Sequence, residues 1–175
     1  MRKVILYIAS SLDGYIAKPG DDLSFLNSVA IEGEDYGYKE FTDTVDTVIM
    51  GRRTYEWVMK QVPEFPHQDK QTYIITRELR ERNGNVHFYS DELVSLVERL
   101  KKQEGMNIFV DGGAQVVRMM MERKLLDEII LSIIPVTLGD GIRLFSPGIP
   151  EQALALQSVK SFESGLVQLH YQIRK

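Results

Sequence analysis

Residues 4–9, Val4-Ile5-Leu6-Tyr7-Ile8-Ala9, form an unbroken apolar run rich in β-branched side chains, the pattern of a strand buried on both faces. A polar stretch follows from Ser10 to Asp22, with turn signals at Asp13-Gly14 and Pro19-Gly20-Asp21 around a short Tyr15-Ile16-Ala17 insert, and reads as a mobile loop over a site. Tyr38, Phe41 and Val45 recur at three and four residues, which predicts a helix over 35–45 before Thr47 to Met50 re-enters a sheet. Val48-Ile49-Met50 then leads through Gly51 into a helix from Thr54 to about Gln61, ended by Pro63 and Pro66. Strands are predicted at Tyr73–Thr76 and, after an Asn83-Gly84 turn, at Val86–Tyr89.

Ser90 is placed to cap a helix with Asp91 and Glu92 in its first turn, Leu93, Leu96, Val97 and Leu100 on one face, and Gly105 as its stop. Asn107 to Val110 reads as a strand running into Asp111-Gly112-Gly113-Ala114-Gln115 and a helix that turns Val116, Val117, Met120 and Met121 inward. Ile129 to Val136 is a long apolar strand. Val167, Leu169, Tyr171 and Ile173 alternate with Gln168, His170, Gln172 and Arg174, predicting a strand with one wet face that pairs with 154–159 across Glu163-Ser164-Gly165.

Strands alternating with helices, then a terminal hairpin, indicate an α/β layer fold with a mostly parallel sheet and an antiparallel edge. The 175 residues, 43% apolar, suit one domain spanning 1–175. A net charge of −4 leaves no basic footprint for nucleic acid, and no segment approaches the roughly 18 to 20 apolar residues of a membrane span. With no cysteine, disulfides and thiolate chemistry are excluded, which suits a cytoplasmic location. His67, His87 and His170 lie far apart and read as surface residues, not as a metal site. P-loop, nucleophile-elbow and Gly-x-Gly-x-x-Gly patterns are missing, which removes the kinase, hydrolase and Rossmann readings.

In sheets of this class ligands gather beyond the strand carboxyl ends. Those ends carry Ser10, Gly51-Arg52-Arg53-Thr54, Thr76-Arg77 and Gly112-Gly113. A glycine followed by two arginines at a helix start suits a polyphosphate, because orphan amides, the helix dipole and the guanidinium groups all favour an anion. Two readings stand for each cluster: a nucleotide cradle, or a plain turn with solvated arginines.

With those motifs placed, the chain resembles the dihydrofolate reductase superfamily, and within it the stand-alone proteins similar to the riboflavin-biosynthesis (RibD C-terminal) reductase domain. The resemblance is carried by Ile8 to Ala17, Val48 to Tyr55, Tyr73 to Arg77, Phe109 to Gln115 and Pro135 to Ile142. It implies a dihydrofolate reductase-like three-layer fold with helices on both faces of the sheet. It further implies NADPH as cofactor, a small-molecule substrate and a homodimer. Carried over by position, Gly51, Arg52, Arg53 and Thr54 would hold the cofactor phosphates, and Thr76 and Arg77 the adenosine 2′-phosphate. Gly112, Gly113, Ala114 and Gln115 would let the backbone approach the cofactor. Ala9 and Ile16 would lie beside the nicotinamide, and Ser10, Asp13 and Gly14 would meet the substrate.

A hydride reduction also needs a proton, which the superfamily's folate enzymes obtain through a catalytic carboxylate on the helix before the Met-Gly-Arg strand, and two positions compete for that role. Helix length points to Asp35, whereas the local Pro-x-x-Asp-Leu pattern points to Asp22. The Asp-Asp-Pro segment of the riboflavin reductases is replaced here by Val62 to Asp69, which argues against their phosphoribosyl substrate. The resulting expectation is an NADPH-dependent reductase acting on a C=N or C=O bond of a pterin-, folate- or ribosylaminopyrimidine-like molecule. The alternative is a nucleotide-binding or sensor protein that kept the cleft and lost turnover.

Overall fold

The computed structural model of the protein describes residues 1–174. An eight-stranded sheet runs in the order β5-β4-β3-β6-β1-β7-β10-β9. Its strands are β1 (Val4–Ser11), β3 (Val45–Gly51), β4 (Gln71–Ile75), β5 (Val86–Tyr89), β6 (Asn107–Gly112), β7 (Glu128–Ile134), β9 (Leu154–Ser161) and β10 (Val167–Ile173). The six from β5 to β7 in that order are parallel, and β10 and β9 close the edge antiparallel. A second, two-stranded sheet joins β2 (Tyr15–Ala17) to β8 (Ile142–Arg143). The α/β fold with an antiparallel C-terminal hairpin is therefore present.

The apolar β1 takes the centre because only an interior position buries both of its faces; Val4 and Leu6 are buried on one face and Ile5 on the other. One face is covered by α3 (Leu93–Lys102) and α4 (Ala114–Glu122), whose Leu96, Val97, Leu100, Val117 and Met120 pack with Leu6, Ile49, Ile108 and Val110. The other face receives α1 (Tyr38–Thr42) and α2 (Arg52–Gln61), through Phe41, Tyr55 and Val58 against Val48, Met50, Ile74 and Phe109. Helices thus lie on both faces.

Several local expectations are corrected. The helix expected over 35–45 is five residues long, because Gly33, Tyr36 and Gly37 adopt positive φ and Val45 is already in β3, paired with Asn107. A short 3-10 helix over Ser24–Val29 precedes it. Ser90 caps nothing: α3 begins at Leu93 with Glu92 as its N-cap and no side-chain cap, so Asp91 and Glu92 precede the first turn. On β10 the supposed wet face is broken, since Gln168 is 8% exposed. Its Nε2 donates to Tyr7 Oη (3.1 Å), Ser132 Oγ (3.2 Å) and the Tyr36 carbonyl (3.3 Å). The segment around Phe25, Val29 and Tyr36 covers that end of the sheet and turns a nominal surface position into a buried one.

Candidate active site at the strand carboxyl ends

The register aligns the strand ends. Gly51 of β3 pairs with Ile75 of β4, and Met50 with Gly112 of β6, so Thr76, Gly51 and the Gly112-Gly113 pair finish side by side. The Gly112–Gly113 peptide is cis. A Cβ on Gly113 would stand 2.9 Å from Thr54 Oγ1, and one on Gly51 would stand 3.3 Å from Val116 Cγ2. A Cβ at 113 could be added only if Thr54 moved, and one at 51 would press on Val116.

Gly51 and Gly113 are the N-caps of α2 and α4, and neither helix start has a side-chain cap or an acidic residue in its first turn. Two sets of orphan amides therefore meet at one point with their positive dipole ends bare, the arrangement an anion fills. Arg52 and Arg53 follow directly. Arg52 pairs with Glu56 at 3.1 Å and Arg53 with Asp21 at 2.9 Å. Glu56 also accepts from Arg80 at 3.1 Å, which ties α2 to the loop after β4. Arg80 escaped the sequence reading because it lies on an irregular loop with no motif. Thr76 is buried and its Oγ1 accepts from the Glu78 amide, while Arg77 is exposed with no ion-pair partner among the described residues. Ala114 and Gln115 open α4 beside the glycine pair.

A pocket of about 280 Å³ opens beside β1, lined by Tyr7, Ala9, Asp35, Tyr36, Tyr38 and Ser132 among others. On β1, Ile8 points toward Gly112, its Cδ1 3.6 Å from where that glycine's Cβ would be, while the adjoining Ala9 lines the pocket. Cradle and pocket thus share one stretch of strand.

The two candidate carboxylates part company here. Asp35 lines the pocket, with Oδ1 accepting from the Gly37 amide (2.9 Å) and Oδ2 from the Lys39 amide (3.0 Å). These two backbone bonds, the Lys39 bond first, hold its carboxyl below the usual range. Asp22 lies outside the pocket lining and accepts from the Ser24 amide at 2.7 Å, which lowers it likewise. Burial pushes the Tyr7 and Tyr38 phenols up, with Asp111 adding to the effect at Tyr38.

The loop expected to be mobile is fastened. Asp13 accepts from Ser11 Oγ (2.6 Å), the Leu138 amide (3.0 Å) and the Gly139 amide (2.7 Å), and these bonds lower its pKa to about 2. The Gly14 carbonyl accepts from the Leu144 amide at 2.9 Å, and Ile16 sits mid-strand in β2, half-buried. Gly141 lies so near Ala17 that a Cβ would meet its carbonyl oxygen at 2.1 Å. The Ser10 hydroxyl is buried and donates to the Ser11 carbonyl. Tertiary bonds across some 125 residues, invisible in local pattern, replace the flexibility that polar composition suggested.

His67 also departs from expectation: it is 5% exposed, packed edge-on against Phe65 and Phe109, with Nε2 3.8 Å from Asp111 Oδ2. His170 is half-buried and bonded to Glu128 at 3.0 Å. His87 is half-buried and stacked on Tyr73. Asp111, directly before the glycine pair, thus stands beside the buried His67, a contact that no local pattern signals. Among the described residues no group of His, Cys, Asp and Glu could hold a metal ion, and no helix is long and apolar enough to cross a membrane.

Comparison with known proteins agrees with this architecture. The chain is 44% identical to the uncharacterised protein YwjB of Bacillus subtilis strain 168, over 97% of each chain. It is 29% identical to the uncharacterised protein YyaP of the same organism, over 97% of this chain and 94% of that one. A crystal structure from Shewanella sp. PV-4, named for riboflavin biosynthesis, superposes with a TM-score of 0.90 at 25% identity, covering 99% of both chains. The bifunctional deaminase and 5-amino-6-(5-phosphoribosylamino)uracil reductase of Thermotoga maritima shares the fold with a TM-score of 0.73 at 15% identity, over 99% of this chain and 57% of that one. The model of the RibD C-terminal domain matches residues 2–168, and the chain belongs to that family.

Proposed function

We propose that the protein is an NADPH-dependent reductase that reduces a C=N or C=O bond of a planar pterin-, folate- or aminopyrimidine-like small molecule. The observation carrying this reading is the shared β1 edge, where the anion cradle at Gly51 and Gly113 adjoins the pocket at Ala9. The residues fit the cofactor: two uncapped helix starts and a glycine crossing with no room for a Cβ while Thr54 keeps its place suit a pyrophosphate. Bound NADPH would supply the hydride, and the matching proton would come from water at the pocket, since Asp35 and Asp22 are held ionised.

In this reading the amides of α2 and α4, with Arg52, Arg53 and Thr54, hold the phosphates, and Arg77 meets the 2′-phosphate with its planar fork. Ala9 and Ile16 shape the nicotinamide end, and Ala114 and Gln115 complete the cradle. Asp35, ionised, orients the substrate at the pocket, while Asp13 and Gly14 hold the covering loop in place and do not touch the reacting atoms. The Tyr7 and Tyr38 phenols keep their protons at neutral pH and order the pocket wall. The chain acts in the cytoplasm as a homodimer. A second copy adds at β9, one of the two edge strands, which exposes Leu154, Leu156 and Val159.

A second reading, a nucleotide sensor without turnover, draws on one observation: both candidate acids are kept ionised by backbone amides, which leaves neither ready to donate a proton. NADPH oxidation followed at 340 nm with a panel of dihydropterins, dihydrofolate and aminopyrimidines separates the two. Oxidation with any member supports the reductase; tight NADPH binding without oxidation on any member favours the sensor.

A further inference from the structure

The pocket beside β1 has a charge pattern that restricts what can enter it. Among the described residues its lining contains one ionisable acid, Asp35, three tyrosines and no lysine, arginine or histidine. The segment that forms most of its outer wall, residues 23–38, adds Glu32 and Glu34 and again carries no cation. Cations on adjoining segments are already engaged. Lys39 pairs with Asp43 at 2.7 Å, Arg53 with Asp21 at 2.9 Å, and Lys18 Nζ donates to Ser24 Oγ at 2.7 Å.

Volume points the same way. About 280 Å³, below the roughly 300–1,000 Å³ of sites for drug-sized ligands, is room for one or two fused rings beside the tyrosines, so a phosphorylated sugar on them would project out of the open mouth. The apolar remainder of the lining, Ala9, Leu26, Val29, Ile134 and Leu166, offers a phosphate no donor.

We propose that this pocket selects an uncharged or cationic planar heterocycle and rejects its phosphate ester, so that the protein works on the dephosphorylated member of such a pair. The inference rests on reading this pocket as the substrate site. Asp35 in the lining, with Glu32 and Glu34 on the loop between the lining residues Ala30 and Asp35, repels a phosphate dianion, and Lys39 and Arg53 could answer it only by leaving their ion pairs. A dephosphorylating reaction must then precede this protein wherever its substrate is made as a phosphate ester.

The test is calorimetric titration of the full chain, with NADPH present, using dihydroneopterin and dihydroneopterin monophosphate. The free pterin is expected to bind at least tenfold more tightly at low salt. The ratio should fall toward unity in 0.5 M salt, where the screening length shrinks to a few ångströms, and in Glu32→Gln. Asp35→Asn should lower the ratio further while both compounds still bind. Equal or tighter binding of the ester, a ratio indifferent to salt, or no heat from either pterin while NADPH alone binds would overturn the proposal. Selective binding of the free pterin without NADPH oxidation would support this selectivity and count against the reductase reading alone.

Discussion

The crossing of Thr54 and Gly113 can be tested by adding one methyl group. In Gly113→Ala the new Cβ would start 2.9 Å from Thr54 Oγ1, a separation at which something must shift. Gly113 has φ −79° and ψ −163°, open to any residue, so backbone conformation does not oppose the change. Removing a glycine also restricts the unfolded chain and stabilises by about 0.4–1 kcal/mol where the fold permits. Overpacking costs about 1–3 kcal/mol, so a net loss of about 1–2 kcal/mol is expected, read as a lower urea midpoint with unchanged slope. Thr54→Ala opens the space, so in the double variant the clash vanishes and the unfolded-state gain remains. The cycle should give a coupling of at least about 1 kcal/mol, with the alanine at 113 destabilising beside Thr54 and neutral or stabilising beside Ala. NADPH affinity, followed by quenching of the single tryptophan, Trp57, should fall in Gly113→Ala and stay low in the double variant, since the methyl still crowds the amides. Simple additivity of the two substitutions would refute the close-approach argument.

Other outcomes follow from the same geometry. Arg77→Ala should remove most of the preference for NADPH over NADH, about 1–3 kcal/mol for a charged hydrogen bond, and equal losses for both cofactors would exclude the 2′-phosphate role. Asp13 has its pKa lowered from 3.8 to about 2 in the fold, so its contribution is complete above pH 4 and is lost as pH falls through about 2. Asp13→Asn should therefore flatten the decline of urea stability between pH 4 and 2. Leu156→Lys on the exposed β9 edge should convert a concentration-dependent dimer into a monomer in sedimentation velocity without shifting the far-ultraviolet spectrum.

Where the sequence was legible, local chemistry sufficed. The 3.6-residue spacing of Leu93, Leu96, Val97 and Leu100 marked a helix face, and all four are buried. The glycine clusters at residues 51 and 112–113 marked strand ends that do lie together. Failures came where distant segments decide the outcome. Gln168 looked wet because its covering segment lies about 130 residues away, and Asp13 looked like a turn residue because its amide donors lie 125 residues on. His67 looked exposed between two prolines and a polar run, yet Phe65 and Phe109 enclose it. Asp35 and Asp22 were indistinguishable by pattern; only the fold shows that one lines the pocket and the other caps a turn.

The order of strands in the large sheet bears on how the chain acquires its shape. β1 is made first, yet its neighbours are β6 and β7, whose residues begin at 107 and 128. During synthesis this apolar strand must therefore wait, bare on both edges until β6 at 107–112 has emerged and on one edge until β7 at 128–134 has followed. Such long-range closure slows folding and exposes the nascent chain to aggregation, so yield in a heterologous host should depend on holdase chaperones more than on intrinsic stability.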